Sequence, residues 1–126
     1  MGAKPNSKTI LRAFNQTKNV LVAGQVRPAT TFLTRLKGLL GTRQLARDEG
    51  LYIKPCGAIH MIGMSYPIDA IFFDDQLSVV GTESNIPPGK LLVQFKGATS
   101  VLELKAGTIE DCKTQVGDKF LVEAQK

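Results

Sequence analysis

Ile68-Asp69-Ala70-Ile71-Phe72-Phe73-Asp74-Asp75-Gln76-Leu77-Ser78-Val79-Val80 is the stretch on which the fold turns. An apolar run broken only by Asp69 leads into three acidic or amide residues, and a second β-prone run, Leu77 to Val80, follows. Asp74-Asp75-Gln76 reads as a hairpin turn, because such side chains tolerate turn backbones and hydrogen-bond to them locally. Strand alternation sets Asp69 with Ile71 and Phe73, opposite Ile68, Ala70 and Phe72. Neither face is polar, so the strand is expected to be covered on both sides. Asp69 then points inward and needs a partner, since an uncompensated buried carboxylate costs several kcal/mol. Arg35, Arg43 or backbone N–H donors near Gly38 to Gly41 are the candidates.

Working outward, the chain beyond Gly50 is a series of short β-prone runs separated by Gly, Pro, Asn and Asp. They are Leu51-Tyr52-Ile53, Ala58 to Ile62, Ile68 to Phe73, Leu77 to Val80, Lys90 to Phe95, Thr99 to Leu104 and Lys119 to Glu123. This spacing is that of a small antiparallel β-barrel or sandwich, so the fold class is mainly β within α+β. Asn85 to Gly89, with Pro87 and Pro88, reads as a loop, because neither proline can donate to a sheet ladder. Before Gly50, Val20 to Ala23 reads as a strand. One amphipathic helix starts at Thr30 or Thr31 and packs on the sheet: Phe32, Leu33, Leu36, Leu39 and Leu40 share an arc, and Gly41 stops it. A second short helix is expected over Thr108 to Val116, with Ile109, Cys112 and Val116 on one face and Cys112 in the core. Residues 1–18 read as a flexible lead-in, with a short strand at Thr9 to Phe14 as a variant, and residues 19–126 as the single β-rich domain.

With 126 residues, 43% hydrophobic and 21% charged, the chain can bury one core and lacks the composition of a disordered protein. It has no run of about eighteen apolar residues and no apolar stretch near Met1, so no membrane association and a cytoplasmic location are expected. Two cysteines make no disulfide framework. The net charge of +5 attracts anions without specifying any. A monomer is expected.

Pro55-Cys56-Gly57-Ala58-Ile59-His60-Met61-Ile62-Gly63-Met64-Ser65-Tyr66-Pro67-Ile68-Asp69 concentrates the chemistry: one of two cysteines, the only histidine and two of three methionines. Cys, His and Met are soft ligands that copper(I) or zinc would choose. If the segment is extended, however, Cys56 and His60 lie about 13 Å apart, too far to grip one ion or to activate a thiolate. A bend at Gly57 or one helical turn from Pro55 would bring them together. Metal and cofactor therefore stay unassigned, and a catalytic set stays unknown.

At this segment the sequence resembles the family catalogued as domain of unknown function 192, also called uncharacterised protein family UPF0127. The resemblance is carried by Arg35, Gly38-Leu39-Leu40-Gly41, Arg43, Gly50-Leu51, Pro55-Cys56, Ile59-His60, Met64, Pro67-Ile68-Asp69, Phe72-Phe73-Asp74, Leu102-Glu103-Leu104, Gly107 and Gly117-Asp118. It spans about Arg27 to Val122. It implies a compact β-rich barrel or sandwich with a helix packed on it, and no known reaction, cofactor or partner. Another branch of the family has Phe-Trp in place of Ile59-His60 and lacks the cysteine, which singles out Asp69 as the residue shared across the fold. Met61 stands where nearer relatives have threonine.

The leading functional expectation is a ligand-binding or interaction module for a small molecule. Its polar pocket would be built from Arg35, Arg43, Cys56, His60, Met64, Asp69 and Glu103, which interrupt or flank apolar elements. A cysteine-dependent enzyme using Cys56 with His60 is the first alternative. The second is a nucleic-acid contact through Lys37, Arg43 and Arg47 with the arm residues Lys4, Lys8 and Arg12.

Overall fold

Nine strands and one short helix make up the described fold; the structure is a computed structural model that describes residues 9–31, 34–35 and 38–125. The strands are β1 (Leu11–Asn15), β2 (Val20–Ala29), β3 (Glu49–Ile53), β4 (Ala58–Ile59), β5 (Ile68–Phe73), β6 (Val79–Ile86), β7 (Val93–Gln94), β8 (Ser100–Lys105) and β9 (Phe120–Ala124). Helix α1 is Thr108–Cys112. Seven strands form one sheet in the order β6-β5-β8-β3-β2-β1-β9, and β4 pairs with β7 alone. Only β2 and β3 run parallel. The sheet curls until its ends meet: Ser78 bridges Lys119, and Val79 N–H donates to the Asp118 carbonyl at 2.8 Å. The result is the mainly β half-barrel that the strand spacing implied.

The hairpin forms as its side chains dictate. Asp74 Oδ1 accepts the N–H groups of Gln76 at 2.9 Å and Ser78 at 3.0 Å, closing the turn between β5 and β6. Strand β6 then runs on to Ile86, past the expected loop boundary at Asn85. Thr31 caps the helical turn that follows β2, with its Oγ1 accepting the Thr34 N–H at 3.2 Å, and Arg35 N–H bonds to the Thr31 carbonyl at 2.9 Å. Phe32, Leu33, Leu36 and Lys37 lie outside the described residues. Helix α1 is shorter than the sequence suggests: Ile109 and Cys112 are buried, but Val116 is exposed and does not share their face.

The domain starts earlier than residue 19. Strand β1 lies between β2 and β9, and its Ala13 and Asn15 are completely buried, so residues 11–15 belong to the sheet. Alternating side chains of Arg12 and Phe14 around Leu11, Ala13 and Asn15 satisfy a half-buried strand.

Every residue of β5 is buried, as two-sided covering requires. The inner face of the curled sheet holds Ile71, Phe73, Leu102, Leu104, Tyr52, Val26 and Phe120, closed by Ile109 and Cys112 of α1. The outer face of β3, β5 and β8 holds Leu51, Ile53, Ala70, Phe72 and Val101, covered by Leu39, Leu45, Ile59, Met61 and Tyr66. Phe95 tilts against Phe72 with ring centroids 5.0 Å apart, and it lies over Gly81 so closely that a Cβ there would sit 2.1 Å from the ring. Glycine is the residue that permits this approach.

Asp69 points to the inner layer and is fully buried. Its Oδ1 accepts the Asn85 N–H at 2.7 Å, and its Oδ2 accepts the N–H groups of Gly107 at 3.1 Å and Ile109 at 2.9 Å. The compensation is of the second kind expected, backbone donors, but it comes from the start of α1 and from β6. The guanidiniums of Arg35 and Arg43 and the Gly38 to Gly41 turn take no part. Asp69→Ala strips the acceptor from three N–H groups, each costing about 1–3 kcal/mol if left dry, so equilibrium urea unfolding should show a loss of about 3 kcal/mol or more. A loss below about 0.5 kcal/mol would mean that water replaces the carboxylate without penalty.

Candidate functional site

The outer layer of the sheet carries the polar residues that the core does not consume. Glu103 projects from β8 between Leu51 of β3 and Ala70 of β5, its register partners. It is only 6% exposed, and among the described residues no hydrogen bond or ion pair reaches its carboxyl. Burial pushes this carboxyl up from 4.5 to about 7, the direction in which desolvation drives an acid that no partner compensates.

Cys56 stands beside it. Its N–H donates to the Thr99 carbonyl at 2.9 Å, which ties the segment after β3 to the start of β8. Its Sγ is within 3.1 Å of the Ala58 carbonyl and packs against the outer core. Burial raises the thiol most; a backbone hydrogen bond at Ala58 lowers it, the Glu103 charge raises it and the Arg35 guanidinium lowers it. Arg35 reaches the same place from the helical turn, its Nη1 donating to the Pro55 carbonyl at 3.2 Å. Its Nε is buried and has no hydrogen-bond partner among the described residues. Arg35, Cys56 and Glu103 therefore form one group, with an unused donor and an unused carboxyl.

The other expected members fall elsewhere. His60 is exposed just past β4, and its Nδ1 accepts the Ile62 N–H at 3.1 Å, which leaves the proton on Nε2. Among the described residues no hydrogen bond joins it to Cys56. Met64 is partly buried against the outer core. Asp69 lies on the opposite face of the sheet from Glu103, so the single pocket expected to hold both is divided by the sheet itself. Arg43 is engaged by Glu49 through two bonds of 2.9 Å and 2.7 Å, which lower the Glu49 carboxyl and raise the guanidinium. Among the described residues no group of three or more His, Cys, Asp or Glu side chains is placed to hold a metal ion.

The basic residues weighed for nucleic acid are largely paired within the chain. Arg12 faces Glu123 at 3.6 Å, Arg47 bonds Asp111 at 3.2 Å and the Val22 carbonyl at 2.7 Å, and Arg43 holds Glu49. Lys4, Lys8 and Lys37 lie outside the described residues. The sequence reading also passed over Arg27 and Glu49, which line a groove beside Arg43. Alternation along β2 marks Arg27 as outward, but nothing local announces its meeting with a loop some sixteen residues further on.

A profile of the family described as DUF192, Uncharacterized ACR, matches residues 13–122. The chain belongs to the DUF192 family. It is similar to a UPF0127 protein of Thermococcus sibiricus, 31% identical over 111 residues that cover 84% of this chain and 71% of that one. A UPF0127 protein of Pyrococcus horikoshii is 30% identical over 84% of this chain and 94% of its own length. The crystal structure of a protein of unknown function from Novosphingobium aromaticivorans shares the fold, with a TM-score of 0.77 at 22% identity over 95% of this chain and 91% of that one. The DUF192 fold is thus established for this chain, and the family relatives bring no activity with them. Among the described residues no helix is long and apolar enough to cross a membrane.

Two measurements test the electrostatics of this DUF192 site. Unfolded Glu103 ionises near the ordinary 4.5 and the folded residue near 7, so between these values the native state keeps a proton that the unfolded state has lost. The contribution of Glu103 to stability is therefore highest at low pH, falls by about 3 kcal/mol as pH rises through that window, and is level above it. Urea unfolding at a series of pH values should show this fall in the native protein and not in Glu103→Gln; parallel curves would refute it. The raised Cys56 thiol should react with iodoacetamide more slowly than free glutathione at pH 7.5, followed by mass spectrometry, and faster reaction would mean an activated thiolate.

Proposed function

We propose that this DUF192 protein is a small-ligand-binding module whose site is the Arg35, Cys56 and Glu103 group on the outer layer of the sheet. The observation that carries the reading is the juxtaposition, at one thiol, of the buried Nε of Arg35, which has no partner among the described residues, and the nearly buried carboxyl of Glu103, which no described residue pairs. Natural proteins satisfy buried polar groups, and those left unpaired inside the chain are satisfied by something outside it. A ligand offering an acceptor to Arg35 and a donor to Glu103 meets both needs, and a primary amide or a carboxylic acid does so with one functional group. The raised thiol argues for contact or packing at Cys56 and against nucleophilic use, because the thiolate is the reactive form. Asp69 belongs to the fold, and Arg43 to its ion pair with Glu49.

The test is a titration with acetamide, acetate and propylamine, followed on the Arg35 side-chain Nε–H and the Cys56 backbone amide by nitrogen-15 NMR. Acetamide should give saturable shifts at both positions, weakened about tenfold in Glu103→Ala, the scale of one charge-assisted hydrogen bond, while acetate, which has no donor for Glu103, should bind more weakly. If none of the three probes shifts either resonance, the site is not a ligand site. If propylamine alone binds, Arg35 has no part in recognition.

A further inference from the structure

A cavity lies on the outer side of the sheet, where the parallel pair β2 and β3 meets the loop before β3. It holds about 300 Å³ and is lined by Ile10, Gln25, Arg27, Thr42, Arg43, Leu45, Glu49 and Gly50. This is the lower end of the size range of small-molecule sites, about 300–1,000 Å³. Gln25 is in register with Glu49 and Arg27 with Leu51, so Gln25, Arg27 and Glu49 project from one face, the one opposite Val26 and Tyr52.

The charges in this groove do not cancel. Two guanidiniums, Arg27 and Arg43, face one carboxylate, Glu49. Glu49 is fully occupied: Oε1 accepts from Arg43 at 2.9 Å and from the Ala46 N–H at 2.8 Å, and Oε2 accepts from Arg43 at 2.7 Å. The Thr42 hydroxyl is occupied too, by the Leu39 carbonyl at 2.6 Å and the Tyr66 hydroxyl at 2.8 Å. Arg27 makes no hydrogen bond or ion pair with any described residue, and the Gln25 side-chain amide is likewise unused. Both side chains are exposed, Arg27 acts on Glu49 only through space, and each is free to take an acceptor from outside the chain. Ile10 and Leu45 add apolar wall beside these donors.

We infer that this groove binds a small organic monoanion, a carboxylate with a short apolar body, with Arg27 as its charge partner and the Gln25 amide as second donor. The fixed Arg43–Glu49 pair forms one wall and holds the groove open. One net positive charge suits one carboxylate, and a guanidinium can meet it with two parallel bonds. The apolar wall sets this ligand apart from inorganic phosphate, which has the charge and nothing to pack. This site uses no residue of the Arg35, Cys56 and Glu103 group, so either can fail without the other.

The test is a titration of the full chain with benzoate and, separately, inorganic phosphate at low ionic strength, read by calorimetry and by the Arg27 Nε–H resonance. Benzoate is expected to saturate, to bind more tightly than phosphate, and to weaken about tenfold or more in Arg27→Met. Lys90→Met removes the same charge away from the groove and is expected to leave benzoate binding unchanged. Arg27→Gln serves if the methionine variant fails to fold. Absence of a saturable shift at Arg27, tighter binding of phosphate than benzoate, or equal weakening in Lys90→Met would each overturn the assignment.

Discussion

Strands β5 and β8 are covered on both faces, so the acidic residues they carry, Asp69 and Glu103, have to be accommodated with little or no water. Adjacent strands in register place Asp69 opposite Leu104 and Glu103 opposite Ala70, and the pleat sends the two carboxyls to opposite layers. The inner layer answers Asp69 with three backbone N–H groups, two of them from the unsatisfied start of α1. One carboxylate thereby ties the first turn of the helix to β5 and to the end of β6. The closure of the half-barrel, in which α1 covers the inner core, depends on that arrangement.

The outer layer answers Glu103 with nothing comparable. The same chain that satisfies one buried carboxylate three times leaves another without a partner among the described residues, and leaves the Nε of Arg35 unpaired nearby. Buried polar groups are usually satisfied, and exceptions concentrate where structure yields to function. This contrast, more than the density of soft ligands around Cys56, separates a structural acid from a candidate binding acid.

Part of the positive charge is absorbed locally. Lys18 bonds Asp118 at 2.9 Å, Arg47 reaches Asp111 and the Val22 carbonyl, and Arg43 is locked to Glu49. The exposed pairs, Arg47–Asp111 and Arg43–Glu49, add little stability, but they orient side chains. Among the groups they leave over are Arg27 and Gln25 in the groove and Glu103 with Arg35 Nε beside Cys56. All sit on the outer side of the sheet.

Local pattern alone determined the β-rich fold, the bounds of β5, the Asp74 turn, a helix cap at Thr30 or Thr31 and the inward course of Asp69, because each follows from periodicity or from hydrogen bonds between near neighbours. The family membership was also legible, through motifs spaced along most of the chain. The inner position of β1, the donors that Asp69 uses, and the division between Asp69 and Glu103 were settled only in three dimensions. Pairing β1 between β2 and β9, and β5 beside β8, joins segments far apart in sequence, and no short-range rule reports such register. Once that register is set, one residue of offset sends a side chain to the other layer, and the tertiary structure alone decides which acids share a site.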